Sequence, residues 1–161
     1  MSVRAVATLI GGTSYVPASG ASGAAVALTG STSETTLATI AIPANSMGAN
    51  GRLRITTFWS TSGVAGTKTA RVRFGGTAFV AAGVTTTYWQ NMAIIRNANN
   101  VAVQKSFATI STSSFDLANG TAGSGAINTA AAQNITLTGQ LSNAGDTLTL
   151  EAYEVEILGA S

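Results

Sequence analysis

The stretch from Arg52 to Phe74, "RLRITTFWSTSGVAGTKTARVRF", holds five of the chain's eight basic side chains. Arg52 and Arg54, and likewise Arg71 and Arg73, stand two positions apart, so on extended backbone each pair shares a face. Read as two strands and a turn, the stretch is a hairpin, and pairing of its strands would assemble a four-guanidinium patch. A nucleic-acid groove, a catalytic site and a protein contact surface are the three chemistries such a patch serves. Guanidinium groups suit the last well, because they are weakly hydrated and grip carboxylates in bidentate fashion. The carboxylates are Glu34, Asp116, Asp146, Glu151, Glu154 and Glu156. Glu151, Glu154 and Glu156 form the acidic cluster and are the natural counterpart of the arginines, within the chain or on a neighbouring copy. Glu154 and Glu156 also meet the roughly 5–10 Å separation of glycosidase carboxyl groups. No aromatic platform flanks them, and a solvated or interface-facing strand edge accounts for them more simply.

Composition narrows the choice. Histidine and cysteine are both absent. The commonest general base is therefore missing, Ser-His-Asp and Cys-His arrangements cannot form, and no disulfide or thiolate metal site is possible. The balance of 8 basic against 6 acidic residues is too even, and the basic residues too few, for a phosphate groove. Only 9% of residues are charged, against about 25% in an ordinary soluble domain. Charge usually keeps free proteins soluble, so a chain this poor in it is expected to sit in an assembly. The apolar run Ala5 to Ile10 is too short for a signal-peptide core or a membrane span. A soluble protein made in the cytoplasm is the expectation, with no metal, cofactor, nucleic acid or membrane as partner. "GASG" and "GSG" lack both the Lys and the strand–turn–helix setting of a phosphate loop.

The elements that must position these residues have a period of two. Leu53, Ile55, Thr57 and Trp59 alternate with Arg52, Arg54, Thr56 and Phe58, and Ala70, Val72 and Phe74 alternate with Thr69, Arg71 and Arg73. Eight strands are expected, at about 35–42, 52–60, 67–75, 77–82, 85–96, 101–110, 133–141 and 146–158. Turn signals separate them: Pro43 with Asn45, Asn50-Gly51, Ser62-Gly63, Gly75-Gly76, Gly83, Asn97 to Asn100, Asn143 and Gly145. In "DTLTLEAYEVEIL" Leu148, Leu150 and Ala152 are set against Thr147, Thr149 and Glu151, then Tyr153, Val155 and Ile157 against Glu154 and Glu156, so the apolar face changes sides near Ala152. Such a shift inside one strand predicts a β-bulge or corner. Trp59 is assigned to the core, and Tyr88 to either a surface contact or buried packing. The fold class is all-β, a single antiparallel β-sandwich of jelly-roll type with about eight strands. Residues 1–34 read as an extended N-terminal arm and residues 35–161 as the sandwich. Val6, Leu9, Ile10 and Tyr15 are apolar side chains of that arm, expected to lie on a neighbouring subunit. Residues 117–132 read as a long loop rich in small residues.

Two stretches carry a resemblance. "ETTLATIAIPANSMGANGRLRITTFWSTSGVAGTKTARVRFGGT", residues 34–77, resembles a segment of tailed-bacteriophage virion proteins in which an "IPA" run leads through "NG" and "LRI" into a "KT.RVRFGGT"-like hairpin. "LSNAGDTLTLEAYEVEIL" is similar to the closing strand of the same jelly-roll modules. The resemblance runs from Glu34 to Leu158, and its motifs are structural. It implies a head decoration (cement) protein or a tail-fibre or spike part, as a homo-oligomer with a trimer favoured. The module fills almost all of the sequence, so no fibre shaft or enzymatic domain is expected, and the expectation is a decoration protein on the outside of the capsid, bound to the major capsid (coat) protein and stabilising it. A receptor- or glycan-binding module of a tail fibre is the alternative, and a polysaccharide depolymerase is third. No enzymatic activity is expected.

Overall fold

A computed structural model describes residues 15–63, 66–85, 87–111 and 121–159. Val6, Leu9 and Ile10 lie outside the described residues. Within them the chain forms eleven strands and no helix. In chain order these are β1 (Tyr15–Ser22), β2 (Val26–Thr29), β3 (Thr35–Ile42), β4 (Arg52–Ser62), β5 (Lys68–Phe74), β6 (Thr77–Val84), β7 (Tyr88–Asn97), β8 (Gln104–Ser111), β9 (Thr121–Gly125), β10 (Gln133–Leu141) and β11 (Thr147–Leu158). All eight strands expected from the period of two are present. The three additional ones, β1, β2 and β9, fall in stretches read as arm and loop.

The strands form two antiparallel sheets. One runs β1-β11-β4-β7-β8-β9, with β2 also paired to β11, and the other runs β3-β10-β5-β6. The row β2-β11-β4-β7 therefore faces the row β3-β10-β5-β6, and along these eight strands the chain changes sheet at every step except β5 to β6. That winding is a jelly roll, which β8 and β9 widen on one side. β1 and β2 share the outer edge of β11, β1 along Tyr153–Leu158 and β2 along Thr147–Leu150. Residues 15–29 are thus part of the sandwich, and the expected boundary at residue 34 does not mark its edge. Their small side chains weaken the alternation, yet β11 offers backbone partners that need no bulky residue. Pro17, which cannot donate to a ladder, sits where the β1 register breaks between Val16 and Gly20.

The expected hairpin of residues 52–74 does not form. β4 lies between β11 and β7, whereas β5 lies between β10 and β6 in the other sheet. The hairpin is β5–β6 instead, closed by Gly75 and Gly76 at φ 53° and 81°. Positive φ at both central residues matches the type I′ turn, whose twist suits two-residue hairpins. The connection after β4 crosses the sandwich, so the inner faces of β4 and β5 meet across the core. Leu53, Ile55 and Trp59 of β4 and Ala70, Val72 and Phe74 of β5 are all buried there, as their alternation requires. Trp59 stands opposite Trp89 of β7, with ring centroids 6.1 Å apart and planes 11° from parallel. The phase shift in β11 is a bulge: Leu150 pairs with Trp59 and Ala152 with Phe58, which leaves Glu151 as the extra residue.

Candidate functional site

Since β4 and β5 are in different sheets, their arginines project from opposite faces of the sandwich. The inner positions of β4 are 53, 55, 57 and 59 and those of β5 are 68, 70, 72 and 74. Arg52 and Arg54 therefore leave the outer face of the seven-stranded sheet, and Arg71 and Arg73 that of the four-stranded sheet. The two sheets alone are about 10 Å apart. No four-guanidinium patch exists.

Each pair finds its own surroundings. On the four-stranded sheet, Glu34 accepts bidentate bonds from Arg73 at 2.8 and 2.9 Å and a bond from the Thr138 hydroxyl at 2.6 Å. Arg71 stands 3.5 Å from the same carboxylate and donates to Gln140 at 2.8 Å. The Arg73 bonds, then the Thr138 bond, hold the Glu34 carboxyl at about 2, below its ordinary 4.5. Glu34 was one of six carboxylates in the sequence, with nothing to mark it as the anchor of this cluster. It lies far from β5 along the chain, and only the order β3-β10-β5 brings it near. The other outward positions of that sheet are small or polar: Thr36, Thr39, Ala41, Thr69, Ala78, Ala81, Gly83, Asn134 and Thr136.

On the seven-stranded sheet, Arg54 pairs with Glu156, its register partner on β11. Ser60 donates to Glu151 at the bulge, and Glu154 is exposed. Two of the three acidic residues are thus engaged within the chain. Tyr15 lies in β1, its backbone paired with Leu158.

The outer face of this sheet contains residues that the sequence pattern left unassigned. Register places Arg52 beside Arg96 of β7, and Arg96 beside Lys105 of β8. The three cations thus stand in one row across adjacent strands. The next row is Glu156, Arg54, Ile94 and Phe107. Beyond it lie Met92, then Phe58 and Tyr88 towards the opposite end of the strands. Phe58, Tyr88 and Phe107 are the exposed aromatics among the described residues, at 43%, 70% and 46% of their surface, and all three are on this face. Their outward parity was readable from their alternation with core residues. That they share one surface depends on the pairing β4-β7-β8.

At the β4–β5 crossing, Lys68 and Asp146 form a second unassigned feature, a buried ion pair at 3.0 Å. A groove beside the β5–β6 turn is lined by Ala41, Pro43, Gly75, Gly76, Gln133 and Asn134, among other uncharged, non-aromatic residues. Among the described residues, no three metal-ligating side chains of the His, Cys, Asp or Glu type come together.

No protein-family model and no curated protein matches the chain. Two solved structures resemble it at a TM-score of 0.40. One is dimeric latent PorU from Porphyromonas gingivalis, 12% identical, aligned over 84% of this chain and 13% of that one. The other is the CBM2 module of the evolved Dit of Lactobacillus casei BL23 phage J-1, 9% identical, aligned over 94% of this chain and 79% of that one.

Proposed function

We propose that the chain is a structural, non-enzymatic virion protein of a tailed bacteriophage: a decoration protein that binds the major capsid protein from outside and stabilises the shell. The observation that carries this reading is the asymmetry of the sandwich. One outer face holds all three exposed aromatics and a row of cations, and the other is polar and built of small residues. An antiparallel sheet that only faces water is ordinarily polar on that side. Aromatic, Met and Arg side chains are instead the residues enriched where proteins meet. The resemblance of residues 34–77 and of the closing strand to phage virion modules points the same way. The protein is made in the host cytoplasm, assembles as a homo-oligomer, with a trimer favoured, and uses no cofactor, nucleic acid or membrane. Electron cryomicroscopy of virions carrying a tagged copy tests this: density on the head supports it, and absence from particles or a position confined to the tail overturns it.

A receptor- or glycan-binding role in a tail fibre is the second reading. Phe58 and Tyr88 favour it, as exposed rings on adjacent strands of an open sheet. Binding on a glycan array that is lost in Tyr88→Ala would replace the decoration reading with this one.

A further inference from the structure

We propose that Arg52, Arg96 and Lys105, with the apolar side chains beside them, dock an acidic protein surface other than a second copy of this chain. This deepens the virion reading and rests on it for the setting in which the partner is met. The three cations stand side by side on β4, β7 and β8, on strands about 4.8 Å apart. Like charges placed opposite one another destabilise a sheet. Among the described residues none of the three has an ion pair: the ion pairs there use Arg54, Lys68, Arg71 and Arg73.

The carboxylates of the described residues cannot neutralise that row. Glu34 is held by Arg71 and Arg73, Asp146 by Lys68, and Glu156 by Arg54. Glu151 accepts from Ser60. Only Glu154 is unengaged among the described carboxylates, one charge against three cations. Charge complementarity therefore calls for a different molecule with several carboxylates.

The neighbours of the row identify its class. Ile94 and Phe107 flank the cations, and Met92 and Phe58 follow. Met and Ile offer no bond to sugar hydroxyls, whereas Arg, Met and aromatic side chains together make a protein-type contact surface. A nucleic acid would call for many more phosphate contacts than three cations provide.

Fluorescence anisotropy of labelled poly-L-glutamate, titrated with the full chain at low salt, tests the proposal. The parent should bind, and binding should weaken with salt. The triple variant R52S/R96S/K105S should bind about tenfold more weakly or worse, since rim charges govern such contacts, while its melting midpoint stays equal or rises as like charges separate. The double variant R96S/K105S alters only exposed residues and should show an intermediate loss. The proposal is overturned if the parent does not bind, or if the triple variant binds as the parent does. It is also overturned if polygalacturonate or duplex DNA of matched charge binds more tightly than poly-L-glutamate. Because this assay needs no virion, it can fail while the protein is still found on the head, and the reverse.

Discussion

Lys68 on β5 and Asp146, just before β11, meet at 3.0 Å with 3% and 0% of their side chains exposed. They close the end of the sandwich where the chain crosses from β4 to β5. Gly66 leaves room for the carboxylate there: a Cβ at that position would stand 2.7 Å from both Asp146 Oδ2 and Ser142 Oγ. A buried pair of this kind contributes little net stability, because desolvation offsets the attraction, but removing one partner strands a charge. Lys68→Met should therefore cost about 3–5 kcal/mol, and Lys68→Met with Asp146→Leu should recover most of it. Urea unfolding of the two variants measures both. A double variant no more stable than the single one would show that the pair does more than neutralise itself.

Glu34 gives the fold an acid-sensitive contact. Its folded value of about 2 lies below the ordinary 4.5, so the contribution is fully present above 4.5. It is lost as pH falls from there towards 2. Solvent screening of this partly exposed cluster limits it to about 1 kcal/mol. In Glu34→Gln the stability difference from the parent should be largest near neutrality and vanish towards pH 2. An equal difference at every pH would assign the effect to packing.

The bulge in β11 sets two deletions apart. Glu151 has no register partner, and Ala152 already follows Leu150 in the pairing with β4. Deleting Glu151 should leave a regular strand with Leu148, Leu150, Val155 and Ile157 still facing inward. It removes the Ser60 contact and should cost about 1–2 kcal/mol. Deleting Thr149 moves the buried Leu148 to the outer face or shifts the register beyond it, since a one-residue slip reverses every side chain. Thermal melts should show a cooperative transition for the first deletion and a lost or strongly lowered one for the second.

Truncation separates β1 and β2 from the residues before them. Removing residues 2–30 strips both strands from β11, takes the buried Leu28 from the core and bares a long edge. Bare edges pair with other chains, so size-exclusion chromatography should find this form aggregated or unfolded. A monodisperse product with the parent's melting midpoint would mean that β1 and β2 are dispensable.

The local pattern of residues was enough to place eight strands, the buried sides of β4 and β5, the turn at Gly75-Gly76 and an irregularity near Ala152. Each follows from a period of two or from turn chemistry, which short stretches of chain carry in full. The partners of those strands are a different matter. Arg54 and Arg71 have the same local setting, alternate positions on a half-buried strand, yet they end on opposite faces because the chain crosses the sandwich between them. Glu34 joins Arg73, and Arg96 joins Arg52, only through the orders β3-β10-β5 and β4-β7-β8. β1 and β9 are strands because β11 and β8 present unpaired backbone to them, not because their small residues favour extension. Side-chain alternation records which way a residue faces. Which residues share that face is settled by backbone pairing between distant segments, and that is decided only when the whole core closes.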